Sequence, residues 1–140
     1  VQGFYFDELS VGLSAEMTHV VAAADVEAFA EVSHDRNPVH LDETYAKATP
    51  FGGRIAHGAL GAAYISAVMG NQLPGPGSVY LTQALKFRRP VRIGDALTAR
   101  VTVTALDARR GFATLRTLCE VDGKTVIDGE ALVAVPRRAA

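Results

Sequence analysis

His57-Gly58-Ala59-Leu60-Gly61-Ala62-Ala63-Tyr64-Ile65-Ser66-Ala67-Val68-Met69-Gly70 is the stretch on which the fold of this chain turns. Its spacing predicts a helix over about 57–70, apolar on nearly every face. A helix without a polar stripe is surrounded either by protein or by lipid. Crossing a bilayer takes about 20 apolar residues, so protein is the expected surrounding. The many Gly and Ala residues let other backbone approach closely. The expectation is a central helix gripped on several sides by a curved sheet.

The second half of the chain supplies that sheet. Ser78–Arg88 is one strand candidate. From Leu97 the apolar residues Leu97, Ala99, Val101, Val103 and Ala105 alternate with Thr98, Arg100, Thr102 and Thr104. This is the two-residue period of a strand with one buried face. Ala113, Leu115, Thr117, Cys119 and Val121 continue it less cleanly. Asp122-Gly123 then predicts a tight hairpin turn. On the last strand Thr125, Ile127, Gly129, Ala131, Val133 and Val135 are expected to face inward. Upstream, Val20–Ala24 reads as the end of a short strand. Asp25 is expected to cap a helix through Ser33, and Asp42 to cap a short helix over Glu43–Ala48. His34–Leu41 and Thr49–Ile55 read as loops. The class is α+β, an antiparallel sheet around one buried helix, in a single domain over residues 1–140.

The 140 residues are 49% hydrophobic with a formal net charge of −1, a globular composition that gives no reason to expect a nucleic-acid binder. The single cysteine, Cys119, forbids an intrachain disulfide and reads as a small buried hydrophobe. No basic region followed by an apolar run opens the chain, so a cytoplasmic location is expected, with no membrane partner.

Chemistry is concentrated in Ser33-His34-Asp35-Arg36-Asn37-Pro38-Val39-His40-Leu41-Asp42. A carboxylate and an imidazole five residues apart, across a Pro-containing loop, can converge as complementary acid and base. The same spacing also fits a structural loop, or a metal cluster drawn from His34, Asp35, His40, Asp42 and His57. No standard zinc or calcium motif is present. A second constellation, Phe51-Gly52-Gly53-Arg54-Ile55-Ala56-His57-Gly58, ends where the apolar helix begins. Amides free at a helix N-terminus can polarise a thioester carbonyl, and Gly58 has no Cβ to block that approach. Close helix–sheet packing would ask for the same glycine. His57 is a candidate third catalytic group, but Gly58 already explains the function of this corner, so His57 reads as structural.

Asp35-Arg36-Asn37-Pro38-Val39-His40-Leu41-Asp42, Arg54-Ile55-Ala56-His57-Gly58, Leu73-Pro74-Gly75 and Phe87-Arg88-Arg89-Pro90-Val91 with Gly94-Asp95 together resemble the MaoC-like dehydratase family. Within it they are similar to the (R)-specific enoyl-CoA hydratases. The resemblance implies a hot-dog fold. It also implies a homodimer with one sheet continuous across the interface, or a larger assembly. It implies no metal and no cofactor, coenzyme A being part of the acyl-CoA substrate. Asp35 and His40 would hold one water, with Asp35 as base and His40 as proton donor to the α-carbon, or with the two roles shared. The result would be syn hydration of a short- to medium-chain trans-2-enoyl-CoA to the (R)-3-hydroxyacyl-CoA, or the reverse. The Gly58 N–H would hold the thioester oxygen, and Asn37 would steady the dyad loop. Close relatives carry a Ser early in the central helix. Here the matching stretch is Ala62-Ala63 and the nearest helix hydroxyl is Ser66, which implies an auxiliary hydrogen bond that is either missing or supplied from elsewhere.

Lys86, Arg88, Arg89 and Arg92 form a basic stretch whose Arg88 is a candidate contact for coenzyme A phosphates. A solvated sheet edge explains it equally. Two other functions fit the fold: an acyl-CoA thioesterase and a non-catalytic acyl-thioester-binding module. The absence of any Asp or Glu from Thr44 through Gly94 argues against a thioesterase with a carboxylate on its helix.

Overall fold

A computed structural model describes residues 3–138. Its frame is one five-stranded sheet in the order β1-β3-β4-β5-β2, antiparallel throughout. The strands are β1 (Ser14–Val20), β2 (Val79–Phe87), β3 (Ala96–Asp107), β4 (Phe112–Val121) and β5 (Lys124–Ala134). The helices α1 (Ala23–Ser33), α2 (Pro38–Leu41), α3 (Glu43–Lys47) and α4 (Gly58–Asn71) all fall between β1 and β2. Among the described residues no helix is long and apolar enough to cross a membrane.

The alternation on β3 does what its period demands: Leu97, Ala99, Val101 and Val103 are all buried. It fails one step later. The pairing with β4 shifts register between Val103 and Ala105, so Ala105 is exposed and Leu106 turns to the core instead. A bulge of this kind flips the faces of every residue beyond it. On β4, Ala113, Leu115, Thr117 and Cys119 are buried. Thr117 is satisfied there, because Gln83 Nε2 donates to its hydroxyl over 2.9 Å. Cys119 lies against the carbonyl of Gly61, and burial pushes its thiol pKa up to about 12. That fits a packed hydrophobe rather than a nucleophile. Asp122 and Gly123 both take positive φ (51° and 74°), the hairpin turn expected from the dipeptide. On β5, Ile127, Ala131, Val133 and the following Val135 are buried, but Thr125 and Gly129 only half so. Gly129 is there because β2 passes so close that a Cβ would meet the Ala84 carbonyl oxygen at 1.9 Å.

Three expectations need correction. β1 ends at Val20, and Ala23 and Ala24 already belong to α1, so Val20–Ala24 does not close a strand. The first helix begins at Ala23 after an N-cap at Ala22, which has no capping side chain. Asp25 lies three residues inside and instead accepts from the Ala22 N–H at 2.8 Å. Residues 38–41 are a short helix rather than loop, with Asn37 as N-cap and Pro38 at the first helical position. The sheet grips α4 as expected and leaves one side of it open within one chain. Leu60, Ile65, Val68 and Met69 are buried, and α4 packs against β1, β3 and β4, whereas Ala59, Ala63 and Gly70 are exposed.

Candidate active site

α1 ends at His34, whose left-handed conformation (φ 66°) turns the chain sharply into Asp35. The Asp35 carboxylate accepts from the Asn37 N–H (3.2 Å), and Asn37 Oδ1 in turn accepts from the Val39 N–H (3.3 Å). Asn37 thus holds the turn and starts α2. It does not line the cavity described below.

His40 sits on α2 and is buried. Its Nδ1 lies 2.8 Å from the Ile55 carbonyl, which can only accept, so Nδ1 carries the proton and Nε2 keeps its lone pair. Arg54 Nε donates to the His40 carbonyl over 2.7 Å. Residues 54–56 are pinned in turn: the Ile55 N–H bonds to Val39 and the Ala56 N–H to Val91. Burial holds the His40 pKa below the ordinary imidazole value of 6.5. The Ile55 hydrogen bond works the other way, as does nearby Asp35, while His57 adds to the depression.

One carboxylate oxygen of Asp35 and one ring nitrogen each of His40 and His57 all lie within 4.8 Å of one another. A single water, at about 2.8 Å from each of two partners, spans such a separation. The same three atoms are donor types for a divalent ion. His57 Nε2 is engaged with the Asp35 carbonyl at 2.9 Å and His40 Nδ1 with Ile55, so each ring keeps one nitrogen outside these bonds, usable toward water or an ion alike. His34 and Asp42 stand outside the cluster.

A cavity of about 480 Å³ opens beside this cluster. His40, His57 and Gly58 line one part of it, and Leu60, Tyr64 and Ile127 are among the apolar residues of its wall. Asp35 is exposed and not part of the lining, though it lies within reach of His40. Gly58 is the first residue of α4, so its N–H has no acceptor inside the helix. The glycine also has a packing reason: a Cβ here would lie 2.7 Å from the Phe87 ring. Arg88 and Arg89 both line the cavity. Arg88 is ion-paired with Asp128 at 3.3 Å, whereas Arg89 has no ion pair among the described residues. Neither Ala62 nor Ala63 lines the cavity, and Ser66 borders a second hollow of about 130 Å³.

The fold has close counterparts. Residues 9–125 match the family model described as a MaoC like domain. The chain belongs to that family. The MaoC-like chain is 52% identical over 134 residues to an (R)-specific enoyl-CoA hydratase of Rhodospirillum rubrum, covering 96% of this chain and 93% of that protein. It is 51% identical to a 3-hydroxybutyryl-CoA dehydratase of Methylorubrum extorquens, over 96% of this chain and 85% of the other. Among solved structures, an R-hydratase from Pseudomonas aeruginosa in the unliganded form superposes with a TM-score of 0.92. It is 44% identical and covers 99% of this chain and 89% of that one. The hot-dog expectation for this MaoC-like chain therefore holds.

Two contributors to the site were not legible as such in the sequence. Arg54 stands inside a quoted motif without a role, and the sequence favours a structural reading of His57 over a catalytic one without showing what it touches. Their partners lie 14 and 22 residues away, and no local spacing signals such contacts.

Proposed function

We propose that this chain is an (R)-specific enoyl-CoA hydratase. It adds water to the 2,3-double bond of a trans-2-enoyl-CoA, or removes it from the (R)-3-hydroxyacyl-CoA, on short to medium chains. The observation carrying this reading is the convergence of Asp35, His40 and the amide end of α4 beside one largely apolar cavity. A thioester chain in that cavity would meet an acid/base pair at its β-carbon and a hydrogen-bond donor, the Gly58 N–H, at its carbonyl oxygen.

The resemblance alone points to Asp35 as base. The proton on His40 Nδ1 and the depressed pKa favour His40 for that step. Neutral His40 takes a proton from water at Nε2 while the hydroxyl bonds to the β-carbon. The double-bond electrons move onto the thioester oxygen, held by Gly58. The imidazolium then returns the proton to the α-carbon from the same face, a syn addition. Asp35 holds the water's other hydrogen and stabilises the transient imidazolium. All protons and electrons balance among water, His40 and substrate, so the step needs no metal or cofactor, and chelation with EDTA should leave turnover unchanged.

Crotonyl-CoA tests the reading. Loss of the enoyl-thioester absorbance without free thiol supports it. Thiol release would instead indicate a thioesterase, and an unchanged spectrum a binding module.

Arg89, rather than the Asp128-paired Arg88, is placed to meet coenzyme A phosphates. Arg89→Ala should raise KM for an enoyl-CoA by up to about fivefold, the scale of one exposed charge contact. KM for an enoyl thioester of N-acetylcysteamine, which lacks phosphates, should not move. Equal changes for both substrates would remove Arg89 from phosphate binding.

The homodimer is read from the two sheet edges. β1 presents Ser14, Glu16 and Thr18 to solvent, whereas the β2 edge exposes Val79, Tyr80, Leu81 and Phe87. An unpaired apolar edge is a template for another strand, and the uncovered Ala59, Ala63 and Gly70 lie on the neighbouring helix. A second copy joined through β2 would cover this surface. Leu81→Glu should convert a dimer to a monomer in light scattering. A monomeric wild type, or a variant still dimeric, would overturn the assignment. A cytoplasmic setting belongs to the same reading, since coenzyme A thioesters are made and consumed there.

A further inference from the structure

His57 is only 2% exposed, yet it is the N-cap residue of α4 and uses no side-chain atom to cap it. Its ring lies between two others: Phe29 of α1 at 4.9 Å between centroids, tilted, and His40 of α2 at 3.9 Å, stacked. Its Nε2 is 2.9 Å from the Asp35 carbonyl oxygen. A carbonyl can only accept, so Nε2 carries the proton. Nδ1 is buried without a hydrogen-bond partner. The arrangement therefore describes an Nε2–H donor reaching from the start of α4 to the turn after α1.

What that reach does follows from the other bonds of Asp35. Its N–H bonds to Ser33 Oγ and its carboxylate to the Asn37 N–H, both within two residues. Among the described residues, the His57 bond is its one hydrogen bond to another part of the fold. His40, by contrast, is anchored by Ile55 and Arg54. The carboxylate stands on an exposed turn and the imidazole in the core, and His57 touches both.

We propose that His57 is a positioning residue of the dyad: by donating Nε2–H to the Asp35 carbonyl while stacking on His40, it fixes carboxylate and imidazole relative to one another. The inference rests on the reading of Asp35 and His40 as the catalytic pair. It is distinct from core filling, since a phenylalanine would fill the same space and keep both ring contacts.

Two variants separate these roles. His57→Phe keeps the stack and removes the donor. His57→Gln loses the ring but puts an amide N–H the same number of bonds from Cβ as Nε2. The expected result is a kcat loss of about 100-fold for His57→Phe with KM changed less than about twofold, the scale of a misplaced catalytic group. His57→Gln should recover turnover to within about tenfold of wild type. Turnover of His57→Phe close to wild type, or equal damage in both variants, overturns the proposal. A second measurement needs no variant: nitrogen NMR of the wild-type imidazoles should show His57 with a protonated Nε2 at neutral pH. An Nε2 without a proton overturns it even if His57→Phe fails to fold. If Asp35→Asn and His40→Gln are themselves fully active, the dyad reading has failed. If they are inactive while His57→Phe turns over normally, only this inference has.

Discussion

Asp35→Asn should lower hydration of crotonyl-CoA by at least about 100-fold in kcat, the usual scale for an acid/base group, with the melting temperature nearly unchanged. The two halves of this expectation have separate causes. Asp35 is exposed and lies outside the apolar core, and substitutions of such residues usually stay within about 0.5 kcal/mol of wild-type stability. Asn has the same shape, and its amide oxygen can still accept the Asn37 N–H that shapes the turn. What changes is the charge. A neutral amide cannot balance the imidazolium that forms when His40 takes a proton, nor hold the water hydrogen as strongly as a carboxylate does. A variant that melts normally and turns over within threefold of wild type would remove Asp35 from the mechanism. A variant that melts far lower would mean the carboxylate supports the turn, and the loss would report structure instead.

Legibility in the sequence followed the range of the interactions. β3 could be read as far as Val103 because its burial is a simple period of two. The register shift that exposes Ala105 depends on how β4 lies alongside, which no residue of β3 announces. The hairpin at Asp122-Gly123 was legible because positive φ is a property of the turn residues themselves. Asn37-Pro38 carried a helix-start signal, a capping side chain followed by Pro at the first helical position, but α2 is too short to show any periodicity. The apolar α4 and its grip by the sheet were legible from composition, but which side stays open, the one carrying Ala59 and Ala63, was not. Asp35 and His40 were legible as a candidate dyad, five residues apart, and the fold brings them within 4.8 Å. The supports of that pair, Arg54 on the His40 carbonyl and His57 on the Asp35 carbonyl, join segments that only the folded chain brings together.

His40→Gln should be the second variant to lose at least about 100-fold in turnover, and its pH profile carries the sharper test. A base must be unprotonated to act. In the wild type, kcat/KM should therefore hold level from neutrality down and fall only as pH drops through the His40 pKa. Burial places that pKa below 6.5, outweighing the opposing pull of the Ile55 hydrogen bond and the Asp35 charge. The midpoint of the acid limb should accordingly lie under the ordinary imidazole value. Stability runs in the same direction for the same reason. The unfolded chain takes up a proton at His40 near 6.5 while the folded chain does not, so the contribution is complete above that pH and declines as pH falls below it. Gln does not titrate, so His40→Gln should retain its small residual rate without this limb, and lose this part of the acid sensitivity of melting. An acid limb centred above 6.5 in the wild type would contradict the neutral resting imidazole. A limb that persists unchanged in His40→Gln would assign it to another group and return the base role to Asp35.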